Sequence, residues 1–288
     1  MDKANNLIWQ AKMQMKTNWL NATNILEDGK RDFPSEREIY TTLGDIYLDK
    51  ELHKKAIENF QKALELDPSD DHVRFKYGNC LLVLDEYRMA LDQYNQCGTS
   101  FPELVYNKAF AYYKMGKLSL SIQLMEEIIK DPLTTEMPLI FMTELQFMKQ
   151  QYDDAIFYIE MAEKRFGMQG NLQYLKGLAY FHQHFWLKSF IAFQKADKLA
   201  FATPNFLLNY GMVANKIGKY KLAEKILLNF IEESPNDGQG YAELINIYLE
   251  HDMIVKAEKL SKRAKKNAAY SLSLSMAYSK LSSYKKRS

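Results

Sequence analysis

The chain has 288 residues, 47% of them hydrophobic and 26% charged, with a net charge of +2. That balance excludes intrinsic disorder, because enough apolar surface is available to offset the entropy of ordering. Seven Pro and twelve Gly are few for this length, and Leu, Ala, Lys, Glu, Gln and Met, all good helix formers, outnumber Val and Thr, so composition leans all-α. Two cysteines, Cys80 and Cys97, are too few for a disulfide framework or a four-ligand zinc site, and are expected as small buried hydrophobes in a reducing compartment. Met1 to Asn6 lead into a segment broken by Gln, Lys and Asn, so no signal-peptide core is expected. The longest wholly apolar stretch, Met137 to Met142, falls far short of the ~20 residues that cross a bilayer. The expectation is a soluble, cytoplasmic chain.

Taken in chain order, the sequence repeats. Ala22, Ala56, Ala90, Ser121, Ala155, Ser189, Ala223 and Ala257 form a column of small residues spaced by 34, except for one step of 31 between Ala90 and Ser121. Three residues before each stands a second column, mostly aromatic: Trp19, His53, Tyr87, Leu118, Tyr152, Trp186, Tyr220 and Ile254. Repeats therefore start near Lys3, Arg37, Asp71, Pro102, Glu136, Gly170, Pro204 and Gly238. Within the second repeat, Tyr40, Leu43, Gly44 and Tyr47 line one face of a first helix, and Ala56, Phe60 and Ala63 one face of a second. A short polar turn, Asp49 to Lys54, joins them, and Pro68 closes the repeat. Gly44 and Ala56 let two helix axes approach while Tyr40, Tyr47 and Phe60 fill the space beside them.

These eight residues, Tyr40, Leu43, Gly44, Tyr47, Ala56, Phe60, Ala63 and Pro68, resemble the tetratricopeptide repeat pattern. The third repeat resembles it through Tyr77, Gly78, Ala90, Tyr94 and Cys97, and the seventh through Leu207, Gly211, Ala223 and Pro235. The resemblance implies an all-α, right-handed superhelical solenoid of about eight helix-turn-helix repeats over residues 1–271. The first, fourth, fifth and last repeats depart from the pattern, most clearly at Lys108, Thr143, Lys176 and Ile245. The 31-residue step removes three residues around Gly98 to Pro102, where a change of curvature is expected. Residues 272–288 read as a capping helix and basic tail, with Leu274, Ala277, Tyr278 and Leu281 on one face, because the last apolar surface of an array needs a cover.

Chemistry is sparse. Gly238-Gln239-Gly240 lacks a third glycine and a preceding strand; His182 and His184 stand two apart on a helix and cannot share a metal; no nucleophile has an activating context. No enzyme activity, metal or cofactor is expected. The resemblance implies instead a concave surface, made chiefly by first helices, that holds a partner's peptide or amphipathic helix. Carried over position by position, its residues in the middle repeats are Phe75, Asn79, Leu82, Tyr106, Asn107, Phe110, Tyr113, Ile140, Phe141, Phe147, Tyr174, Leu178 and Phe181. Their apolar, aromatic character predicts an open groove across Asp71 to Ala202 with Asn79 and Asn107 free to hydrogen-bond, the alternative being that a tightly wound superhelix or the chain's own capping helix buries them. The family's grip on an acidic chaperone tail is not expected, since Phe75, Met137 and Phe141 stand where its cations would. Ten Lys and Arg against two acids from Asp252 onward, including Lys262, Arg263, Lys265, Lys266, Lys285, Lys286 and Arg287, make a basic end. Two other functions stay open: a structural subunit of a larger assembly or homo-oligomer, and a nucleic-acid accessory protein acting through that basic end.

Overall fold

The computed structural model describes residues 3–285, and within them there are seventeen helices and no strand. Every repeat start found in the sequence opens a helix. The pairs are α1 (Lys3–Gln14) and α2 (Trp19–Asp32), α3 (Arg37–Asp49) and α4 (His53–Leu66), α5 (Asp71–Val83) and α6 (Tyr87–Asn95), and α7 (Pro102–Lys114) and α8 (Leu118–Ile129). They continue with α9 (Glu136–Met148) and α10 (Tyr152–Phe166), α11 (Gly170–His182) and α12 (Trp186–Lys198), α13 (Pro204–Lys216) and α14 (Tyr220–Glu233), and α15 (Gly238–Glu250) and α16 (Ile254–Asn267). A last helix, α17 (Leu272–Lys285), follows. Contacts divide the chain into two compact units, Met1–Pro138 and Leu139–Ser288.

One local device makes the pairs. From the second repeat on, the residue fifteen places into each repeat is left-handed: Glu51, Asp85, Gly116, Gln150, His184, Gly218 and Asp252, with φ between +57° and +78°. The next amide then returns to a carbonyl five residues earlier, as from Leu52 to Tyr47 and from Met253 to Tyr248, each at 2.8 Å. This bond satisfies a carbonyl that the helix end would leave open and turns the chain back on itself within three residues. The first repeat lacks the left-handed residue; there the Asn18 side chain caps α2 by accepting from the Asn21 amide at 3.2 Å.

Inside a pair the two helices meet at a fixed couple of positions, sixteen residues apart. A Cβ on Gly44 would stand 2.3 Å from the Phe60 ring, one on Gly78 2.3 Å from Tyr94, and one on Gly177 2.4 Å from Phe193. Where the first position is larger, the second shrinks: Ala109 goes with Met125, Thr143 with Ile159, and Ile245 with Ser261, all buried. Two departures from the repeat pattern thus have a packing account, since Thr143 and Ile245 face smaller partners than Gly44 does. The Thr143 hydroxyl also donates to the Leu139 carbonyl at 2.9 Å. Lys176 has another: its ammonium pairs with Glu160 at 3.0 Å and Glu163 at 3.1 Å.

The three residues missing from the 31-residue step come out of α6, which has nine residues where α4 has fourteen. Asp71 holds the shortened end: its carboxylate accepts from the Gly98 amide at 3.0 Å, the Thr99 amide at 2.8 Å and the Thr99 hydroxyl at 2.9 Å. Those donors, the Gly98 amide foremost, hold its carboxyl below the usual range. At the other end of the chain, α17 packs on α15 and α16 and buries Leu274, Ala277 and Leu281. The Ala269 amide, just before it, donates to the Asn236 carbonyl at 2.9 Å.

Candidate functional site

In the first unit a cavity of about 550 Å³ opens where α5 and α7 meet the link that follows α8. Phe75 and Asn79 lie four apart on α5, and Glu103, Tyr106 and Asn107 at three- and four-residue spacing on α7, so each helix presents one face to it. Ile128, Leu133, Thr134, Met137 and Pro138 close the other side. The Asp131 side chain shapes this link by accepting from the Leu133 amide at 2.9 Å, an Asx-type turn that leaves Leu133 89% exposed. Met137 is 57% exposed. The Phe75 ring is fixed edge-on against Phe101, with centroids 4.9 Å apart.

The floor is polar and fixed. Asn107 Nδ2 donates to Asn79 Oδ1 at 2.8 Å, and the Tyr94 hydroxyl donates to the same oxygen at 2.8 Å. Tyr94 is fully buried, and burial pushes its hydroxyl well above the usual value, so it stays a donor at any physiological pH. Of the two Asn expected to be free to hydrogen-bond, Asn79 thus has its carbonyl oxygen taken by two internal hydrogen bonds, and Asn107 spends one amide hydrogen on it. The lining contains two charged residues, Glu103 and Asp131, and no Lys, Arg or His. Thr134, 8% exposed, carries a hydroxyl oxygen with no hydrogen-bond partner.

Of the thirteen groove residues expected from the sequence, Phe75, Asn79, Tyr106 and Asn107 come together here. Leu82, Phe110 and Tyr113 do not line the cavity: Leu82 packs on the core of the first unit, and the Lys114 ammonium lies 5.3 Å from the Phe110 ring and 5.8 Å from Tyr113. Phe141 is 4% exposed and belongs to packing, which corrects its assignment to an open groove. In the second unit Tyr174, Leu178 and Phe181 pack against the main core, Tyr174 stacking on Phe201 at 5.1 Å. Phe147 meets Tyr152 at 5.7 Å and His182 at 6.2 Å, and Ile140 is half-buried. Sequence reasoning missed Pro102 and Glu103 at the start of α7, Ile128 at the end of α8, and the lining residues of the link and the start of α9. Leu133 was the available signal, an apolar residue set among Asp131, Pro132, Thr134 and Thr135 where turn chemistry rules.

Elsewhere the chemistry is that of packing. Burial pushes the Cys80 thiol up to about 11, which leaves it unreactive. His182 stacks on Tyr152 at 5.0 Å, and the described residues contain no group of three or more potential metal ligands. No described helix is long and apolar enough to cross a membrane. At the basic end, Lys262, Arg263, Lys265 and Lys266 on α16 are exposed, with the Lys265 ammonium 5.4 Å from the Tyr278 ring. The side chain of Lys285, with Lys286 and Arg287, lies outside the described residues.

The tetratricopeptide repeat family matches residues 38–70. An uncharacterised TPR repeat-containing protein of Arabidopsis thaliana is 34% identical over 67 residues, 23% of this chain and 8% of that protein. A second Arabidopsis relative is covered over 10% of its length, so the chain spans only a small part of the curated relatives it matches. Among solved structures, the C-terminal part of a TPR repeat-containing protein from Cytophaga hutchinsonii superposes with a TM-score of 0.64 at 19% identity, covering 76% of this chain and 92% of that one. YrrB, described as a TPR protein with an unusual peptide-binding site, superposes at 0.51 with 16% identity over 60% of this chain and 91% of that one.

Proposed function

We propose that this chain, a helical repeat array whose residues 38–70 match the tetratricopeptide repeat family, is a non-enzymatic scaffold that holds a segment of another protein in the cavity between α5, α7 and the link after α8. The observation that carries this is the exposure of Leu133 and Met137 at the mouth of an apolar cavity: two large hydrophobic side chains are left in water where the fold does not use them. An extended peptide would cover both and place one apolar side chain between Phe75 and Tyr106, an arrangement of the kind by which grooves hold peptides. The peptide-binding site named for YrrB supports a peptide as the ligand class.

The test is selection of random dodecapeptides displayed on phage against the full chain, followed by affinity measurement. Wild type should enrich binders, and Leu133→Gln/Met137→Gln should weaken them about tenfold with unchanged helicity, since both side chains are exposed. Equal affinity for the double variant would move the site elsewhere.

A structural-subunit role is the second reading, favoured by Phe157, Leu187 and Ile191, which stand exposed on α10 and α12. Light scattering that gives a concentration-independent monomer removes its homo-oligomeric form.

A further inference from the structure

We infer that the segment held by this cavity is apolar at its anchor and basic beside it: one large hydrophobic side chain flanked by Lys or Arg. This rests on the proposed function and names the chemistry of the partner. Three observations carry it.

The charged residues in the lining are Glu103 and Asp131, both carboxylates, and no cation lines the cavity. An acidic segment would therefore enter a site of its own sign with nothing to pair with, whereas a Lys or Arg beside the anchor meets Glu103, which is exposed on the first turn of α7.

The helix ends at this site do not offset that field. The N-terminus of a helix ordinarily favours an anion. Here α7 and α9, whose first turns line the cavity, each carry a carboxylate in that turn, Glu103 and Glu136, and α7 begins with Pro102, which has no amide proton to give. The polar floor does not reverse the preference, because the Asn79 carbonyl oxygen is already occupied by Tyr94 and Asn107.

The surroundings have the same sign. Residues 1–138 hold 17 Lys and Arg against 22 Asp and Glu, a net charge of −5, although the whole chain is at +2. A field of this kind steers a basic ligand inward and raises its rate of capture at low salt.

The experiment uses the full chain and synthetic fluorescent dodecapeptides that share a central Leu, Phe or Met and differ in their flanks, which are Lys, Gln or Glu. Lys-flanked peptides should bind about tenfold more tightly than Glu-flanked ones at low salt, with Gln between, and the gap should narrow as salt is raised. Glu103→Lys should erase or invert the order of the Lys- and Glu-flanked peptides. Equal binding of Lys and Glu flanks, or a preference for Glu, overturns the inference and leaves the cavity as a peptide site. If none of the peptides binds, or all bind Leu133→Gln/Met137→Gln as well as wild type, the proposed function fails with it.

Discussion

The third pair, α5 with α6, and the last pair, α15 with α16, solve one packing problem in opposite ways. In the third, Gly78 leaves room for the buried Tyr94 ring; in the last, Ile245 fills the same place and its partner has shrunk to Ser261. In these two pairs the summed volume of the couple is similar, and either member can supply it, because interiors pack to a fixed density. The chemistry differs, however. The Tyr94 hydroxyl reaches past the seam to Asn79 and so ties core packing to the floor of the cavity, while Ser261 lends its backbone carbonyl to Tyr278 of the capping helix at 3.5 Å.

The largest effect is expected from breaking the glycine side of the comparison. Gly78→Val should cost about 3 kcal/mol, because the ring it meets at 2.3 Å is fully buried and cannot move without losing its bond to Asn79. Thermal melting of the variant measures this, and an unchanged melting temperature would refute the fixed seam. A double-mutant cycle sharpens the same point in the last pair. Ser261→Phe alone should cost about 2 kcal/mol by overpacking, and Ile245→Gly alone a similar amount by leaving a cavity. The double variant should recover at least about 1 kcal/mol of their sum if volume is what is conserved; strict additivity would show that the two positions are independent.

Smaller effects belong to features the two pairs share or lack. Asp71, found only beside the short α6, accepts three hydrogen bonds, so Asp71→Ala should destabilise the chain by about 1 kcal/mol at neutral pH. Its carboxyl is held below the ordinary value in the folded chain, so this stability is present above the unfolded value of about 4 and is lost as pH falls through the folded one. The gap in denaturant midpoint between wild type and variant should therefore be constant from neutral pH down to about 5 and close in stronger acid. Gln150→Gly is the smallest change. It relieves a left-handed, exposed non-glycine at φ +58° and should raise stability by up to about 1 kcal/mol.

Much of this was legible in the sequence, and the reason is periodicity. A column such as Ala56, Ala90 and Ala155 is written seven or eight times, so the phase of every helix, the turns and even the three-residue shortage could be read before any contact was known. Single events were not legible. That Phe141 is buried, that Asn79 is held by a tyrosine fifteen residues on, and that Leu133 stands in water depend on which side chains meet between elements, and no repetition announces them. The candidate site was half visible for the same cause: its first-helix residues recur by position, whereas its link residues belong to one junction alone.

The short α6 bears on how such a chain changes over time. A repeat array grows by copying its period, and a copy that loses three residues would ordinarily put every later helix out of step. Here the loss falls at the end of the second helix, after Ala90 and Tyr94 have made their seam contacts, and Asp71 gathers the loose end. Registration is thus reset at each first helix rather than carried along the chain. Ser100, exposed and just beyond the residues that Asp71 holds, is accordingly where this protein can gain length while the loose end stays tied.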